Sequence, residues 1–158
     1  RAILGDVVAA LHLQGIRKLI IVNGHGGNSF KNMIRDLSVD FPDFLIAITN
    51  WYGIVPQEGY FENKDDHAGE LETSVMMYYH PELVNLEEAG EGTSKPFALS
   101  SLNAQIAWLP RYWSKVSADT GIGDPRKSTP EKGERYAKAV IEKLALLFTE
   151  IGSKEVYL

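Results

Sequence analysis

Hydrophobic positions recur at helical spacing at the start of the chain: Ile3, Leu4, Val7, Val8 and Leu11 share one face. That helix should stop near Gln14-Gly15, where glycine suits a C-terminal cap. The pattern then changes to continuous apolar runs, Leu19–Val22 and Leu45–Ile48, which predict strands over 18–23 and 44–50. Such runs, without alternation, are those of parallel strands covered on both faces. Between them a helix over about 29–39 is expected, capped by Asn28 or Ser29. Strand, helix and strand make one βαβ unit with a right-handed crossover.

Residues 51–66 read as a loop punctuated by Gly53, Pro56, Gly59 and Asn63, and a short helix over about 69–79 is stopped by His80-Pro81. From 84 to 128 the pattern is weak. The final helix is clear, with Thr129 at its N-cap, Pro130 at the first helical position and Glu131 in the first turn. Its apolar stripe is Tyr136, Ala137, Val140, Ile141, Leu144, Phe148 and Ile151, and Gly152 ends it. There are no repeats, low-complexity tracts or interdomain linker, so 1–158 reads as a single domain. The chain opens inside an element, without a capping residue or an initiator methionine, and is expected to be the C-terminal part of a longer domain.

Composition narrows the chemistry. The formal net charge is −5 and the sequence pI about 5.4, so no basic excess favours nucleic acid or an anionic membrane. No apolar run approaches the ~20 residues of a membrane span, and no secretory signal is visible, which leaves the cytoplasm as the default location. With no cysteine in the chain, any metal must be held by His, Asp or Glu.

Two clusters carry candidate chemistry. Asn23-Gly24-His25-Gly26-Gly27-Asn28 directly follows the first strand, and His67-Ala68-Gly69-Glu70-Leu71-Glu72-Thr73-Ser74 opens the third helix. Glycines flanking a histidine pack nothing and cost backbone entropy, so the turn suits aiming an imidazole better than building a core. In open α/β sheets ligands collect beyond the carboxyl ends of the strands, which is where His25 and Trp51 fall. On a helix Glu72 shares a face with Val75, Met76 and Tyr79, so it is expected to point inward, where a lone charge needs a partner such as a divalent cation. Glu70 lies about 200° away at ~100° per residue, placed to assist through the helix dipole or to orient a ligand.

Plainer readings compete. The glycine turn could cradle a phosphate, but it lacks the Lys-Ser/Thr ending of a P-loop. His67 taken alone would be a hydrogen-bonded structural histidine. His12 reads as a surface or packing residue, and His80 as a group satisfying terminal helix carbonyls. Asp65 and Asp66 read as caps of the third helix ahead of lining for the pocket mouth, Trp51 as core or pocket wall, and Trp108 and Trp113 as packing or an oligomer surface.

The two clusters together resemble the creatininase (creatinine amidohydrolase) family, and the likeness extends through Trp51, Gly121-x-x-Asp124-Pro125 and Glu131-Lys132-Gly133. The resemblance implies a three-layer α/β/α fold with a mostly parallel sheet, here lacking the N-terminal part, and a site of two divalent metals, zinc or manganese. It implies hydrolysis of a C–N amide bond in a small substrate, cyclic amide, formamide or related, by a metal-activated water. Carried over by position, His25 and Glu72 are metal ligands, and His67 is the acid/base on the leaving nitrogen with Glu70 beside it as a catalytic group. Trp51, Gly26, Gly27 and Asn63 border the substrate. The family's members are usually homo-oligomers, often hexamers. The departures are instructive. The family's Glu-x-His-Gly segment, which supplies the remaining ligands, is absent from the sequence. Creatininase itself has Tyr-Glu in place of Gly26-Gly27 and tryptophan in place of Asn63, which disfavours creatinine; relatives with the Gly-Gly form act on formamide intermediates or a modified peptide. The alternative is a catalytically inactive creatininase-like binding or subunit protein without a complete metal site.

Overall fold

The computed structural model describes residues 1–63 and 66–157. The chain divides into two compact units, Arg1–Val55 with Val140–Leu158, and Pro56–Ala139.

In the first unit, helix α1 (Ala2–Leu13) leads through Gly15, at φ +83°, into strand β1 (Lys18–Asn23); helix α2 (Lys31–Asp40) then leads to strand β2 (Leu45–Asn50). The strands pair in parallel, Lys18 opposite Leu45 through Asn23 opposite Asn50. The βαβ expectation therefore holds in order and direction. Val8 of α1, Leu37 of α2 and Phe44 form the buried centre, with Leu4, Leu11, Leu19, Phe41 and Ile46 packed around it. The strands are less covered than continuous apolar runs suggest. Val22 is 45% exposed, because the described residues supply only two strands to this sheet and both edges stay open. Lys18 donates from Nζ to the carbonyl of Ile151 at 2.7 Å and meets the negative end of the last helix.

One capping expectation fails here. The N-cap of α2 is Phe30, without a side-chain bond, because Asn28 instead donates its amide to Asn23 and is spent on the turn. His12 is a packing residue, one of the two roles read for it: its ring rests against Phe41 and Phe44, and its Nε2 lies 2.9 Å from Asp43.

In the second unit, helix α3 spans Glu70–Tyr79, followed by two short helices, α4 (Ser100–Asn103) and α5 (Trp113–Val116), in the segment where the sequence pattern is weak. Helix α6, Pro130–Ser153, begins as read: Thr129 accepts the backbone N–H of Lys132 on its hydroxyl. Tyr136 and Leu71 are buried centres of this unit, and Phe61 lies 5.2 Å from Tyr136, ring to ring. Gly133 lets α6 approach α3, since a Cβ there would stand 1.9 Å from the carbonyl oxygen of Ser74. His80 does not satisfy helix carbonyls through its ring; Nδ1 contacts Glu82 at 3.2 Å, and only the backbone N–H reaches Met76. Asp66 does not cap α3 either, because Arg111 takes its carboxylate; Asp65 lies outside the described residues. No helix among the described residues is long and apolar enough to cross a membrane.

Candidate functional site

Each unit carries one of the sequence clusters. In the first, the chain leaves β1 at Asn23, a polar residue only 2% exposed. Burial of an amide demands partners, and Asn23 organises the turn through them. Its Nδ2 donates to the carbonyl of His25 and to Asn50 Oδ1, both at 2.9 Å; its Oδ1 accepts from the backbone N–H of His25 and from Asn28 Nδ2. The side chain thus ties the ends of both strands to the glycine turn. Trp51 follows β2 and donates from Nε1 to the carbonyl of Gly24 at 3.3 Å. His25 and Trp51 therefore meet at the carboxyl edge of the parallel pair, as the βαβ reading requires.

The turn also sets the imidazole. Gly27 donates its backbone N–H to His25 Nδ1 at 3.0 Å, and a Cβ at Gly27 would stand 2.9 Å from the ring. Glycine at 27 is what allows the ring to fold over its own turn. A neutral imidazole that accepts at Nδ1 carries its proton on Nε2. His25 is the residue of this turn that would hold a metal ion, and its Nδ1 is engaged by the Gly27 amide. Gly26 opens beside the phenol of Tyr52, 3.8 Å from where its Cβ would be. A cleft of about 400 Å³ lies on this unit, with Asn28, Phe30, Asn50 and Tyr52 in its wall.

In the second unit, His67 exchanges backbone hydrogen bonds with Ile122, N–H to carbonyl at 3.0 and 2.8 Å. Its ring packs against Trp113 at 5.0 Å, and its Nδ1 is 3.9 Å from Glu72 Oε2. That is an ion-pair distance for a protonated ring and beyond a hydrogen bond. The same Oε2 accepts the N–H of Ala68 at 2.7 Å, where Ala68 stands in the left-handed region at φ +51°. Glu72 thus closes the entrance of α3 on the residue that follows His67 and presents its charge to the imidazole. A cleft of about 420 Å³ opens at this carboxylate, between Ala68, Glu72, Thr73 and Met76 on one side and Asp119 and Gly121 on the other. The size is within the range of small-molecule sites.

The inward carboxylate is the other one. Glu70 is 0% exposed, whereas the Glu72 side chain keeps about a third of its accessibility at 32%. The helical-wheel expectation that buried Glu72 and exposed Glu70 is therefore reversed. Glu70 is the first residue of α3, and its side chain leaves the helix to meet the preceding loop. Its Oε2 accepts the N–H groups of Glu62 and Asn63 at 2.9 and 2.8 Å, and its Oε1 accepts Lys132 Nζ at 2.5 Å. Contact with Glu70 is the main cause that raises the Lys132 ammonium above its ordinary value. Lys132 also reaches Glu62 Oε1 at 3.2 Å and the carbonyl of Lys127 at 2.9 Å. Lys127, with Lys132 second, holds the Glu62 carboxyl below its usual range. Asn63 is brought near this loop's base, its Nδ2 3.5 Å from the carbonyl of Asp124.

Asn23, Glu62 and Lys132 are thus structural members of the two clusters to which the sequence reading gave no role of their own. Their signals were motif membership alone, Asn23 opening the first cluster and Lys132 lying in Glu131-Lys132-Gly133, with nothing local to pair Lys132 with Glu70 or Glu62. Both units hold a histidine and polar groups suited to a polar ligand. Among the described residues, however, no three His, Cys, Asp or Glu side chains gather closely enough to hold a metal ion. The residues described do not make a complete ligand set.

Comparison with known proteins agrees with this frame. Residues 1–148 match the family model described as Creatininase: Creatinine amidohydrolase. Among curated proteins, the mycofactocin precursor peptide peptidase of Mycobacterium ulcerans (strain Agy99) is 30% identical over 129 residues, 79% of this chain and 45% of that protein. The creatinine amidohydrolase of Pseudomonas putida is 22% identical over 156 residues, 89% of this chain and 58% of that protein. The chain therefore spans about half the length of the curated relatives it matches. A crystal structure from Bacteroides fragilis NCTC 9343, named only provisionally as a creatinine amidohydrolase, superposes with a TM-score of 0.95 at 61% identity, over 99% of this chain and 62% of that one. A mutant creatininase complexed with creatine has the same fold, at a TM-score of 0.73 and 22% identity over 93% of this chain and 62% of that one.

Proposed function

The chain belongs to the creatininase family, with a creatininase-like α/β fold, and on that premise we propose that by itself it is a binding or subunit protein of the amidohydrolase class without a complete metal site of its own. The observation that carries this reading is the separate engagement of the candidate donors. His25 is turned onto the Gly27 amide, Glu72 onto the Ala68 amide, and no third donor joins either among the described residues. What the chain supplies is polar recognition: the Asn23-ordered turn with Gly26, Gly27 and Trp51 at one end of the strands, and the cleft beside Glu72 and His67.

A second reading has its own support in the family match: that, with further donors from beyond the described residues, the assembled protein is a metal-dependent amidohydrolase. In that reading His25 and Glu72 would hold zinc or manganese, which would supply a hydroxide from bound water near neutral pH for attack on a C–N amide carbon. His67, with the Glu72 charge near its Nδ1, holds and delivers the proton that the leaving nitrogen needs. In that reading the substrate is a small amide other than creatinine, with Trp51 among the residues that border it, and the active species is a homo-oligomer. Glu70, with both oxygens engaged and no exposure, does not face a substrate in either reading.

Metal analysis of the purified 158-residue chain after equilibration with zinc or manganese separates the two, followed by an amide-hydrolysis screen. Well under one equivalent of bound metal and no turnover is the expected result. Two tightly bound equivalents with turnover would replace the first reading by the second.

A further inference from the structure

Glu70 is a fully buried carboxylate that neither reading uses, and its bonds are not those of an ordinary helix start. A carboxylate taken out of water is costly unless every lone pair facing a donor is satisfied. Glu70 meets that condition by reaching backward along its own chain, to the amides of Glu62 and Asn63, while Lys132 neutralises it from α6. One side chain thereby joins the two ends of the segment 62–70. His67 lies within that segment and is fixed at a second point by its backbone pairing with Ile122. Its ring is held between Trp113 and the Glu72 carboxylate. The loop that carries His67 is thus anchored at Glu62 and Asn63 as well as at Ile122, while Trp113 and Glu72 flank the ring.

We propose that Glu70, neutralised by Lys132, is the positioning residue for His67: it clamps the amides of Glu62 and Asn63 so that the imidazole faces Glu72. The inference rests on the reading of His67 as the group that handles protons, and it predicts an effect on that ring whether or not the chain hydrolyses amides.

Nuclear magnetic resonance of the full 158-residue chain tests it without a substrate. In the wild type the backbone amides of Glu62 and Asn63 should exchange with solvent at least about a hundredfold slower than in an unstructured peptide; absence of that protection overturns the clamp. In Glu70→Gln, an amide side chain keeps one acceptor and turns an NH2 toward one set of donors. Exchange at Glu62 and Asn63 should rise at least about tenfold, and the ring signals of His67, assigned with His67→Ala, should shift or broaden while those of His12, His25 and His80 stay in place. If Glu70→Gln fails to fold, Glu70→Gln/Lys132→Met is read in the same way, because it removes the ammonium left without its carboxylate. Loosened amides with unchanged His67 signals would make Glu70 a structural residue only and refute the proposal. Failure of the hydrolysis screen alone would leave it standing.

Discussion

Replacing Gly133 by alanine sets two effects of known sign against each other. Gly133 lies in the first turns of α6, where alanine gains about 1 kcal/mol of helix propensity over glycine. Its Cβ would however stand 1.9 Å from the Ser74 carbonyl oxygen, 2.4 Å from the Ser74 carbonyl carbon and 2.9 Å from the Val75 nitrogen. All three are backbone atoms of α3, so no side chain can swing aside. Ordinary contact begins near 3.4 Å, and α3 would have to retreat by roughly 1.5 Å around Ser74, beside the buried Leu71 and Tyr136. Overpacking of that kind costs about 3 kcal/mol, which leaves a net loss of about 2 kcal/mol. With a urea dependence of about 2 kcal/mol per molar for a chain of this size, the unfolding midpoint should fall by about 1 M. Two other glycines serve as controls. Gly152 meets nothing within 4 Å and has no positive φ, so Gly152→Ala should hold or raise the midpoint. Gly15 also meets nothing, but at φ +83° an alanine is strained and should lose about 1 kcal/mol. A midpoint for Gly133→Ala at or above the wild type would show that α3 and α6 do not approach as described.

Asn23→Ala should cost about 2 kcal/mol, the penalty for removing a buried group on which several partners depend, and a fall in the urea midpoint with faster amide exchange at His25 would record it. Asp124 is held at about 2, chiefly by the Arg126 guanidinium and then by the Arg126 backbone N–H. A depressed carboxyl stabilises the fold above its ordinary value near 3.8 and loses that contribution as pH falls through about 2. Thermal melts of Asp124→Asn should therefore lie below the wild type at pH 6 and converge with it near pH 2; parallel curves would refute the assignment. In an assembled, metal-loaded enzyme, His25→Ala and Glu72→Ala should each remove about one equivalent of metal by elemental analysis. His67→Ala should keep the metal and lose most of kcat, and an unchanged kcat would remove it from proton transfer.

The first unit was readable because its signals are local. Apolar runs of strand length, glycine at 15 and a helical stripe between the strands each depend on neighbours within a few residues, and β1, α2 and β2 fall where those signals place them. The same logic put His25 and Trp51 at one edge, since parallel strands bring their carboxyl ends together whatever the residues there do. The segment from 84 to 128 gave no such signal. Its helices are a few residues long, and its order comes from single contacts between residues far apart in sequence, such as the Gly123 N–H on the Gly92 carbonyl and the Lys95 N–H on the Val116 carbonyl, which no periodicity records.

The reversal of the two glutamates has a more specific cause. A helical wheel assigns burial by the face of a cylinder, and it holds where other elements pack against that cylinder. At the first turn of α3 the surroundings are the incoming loop, and a long side chain at the first position reaches past the helix end to donors that the wheel does not contain. Glu70 found two loop amides and a lysine from α6; Glu72, two residues later, found the amide of Ala68 and kept a share of solvent. The carboxylate able to meet a ligand is therefore the less buried one, and the more buried one is spent on holding the loop. A charge fully enclosed by its own chain's donors is satisfied already, so burial of an acidic group at a helix start argues for positioning, and partial exposure beside a histidine argues for chemistry.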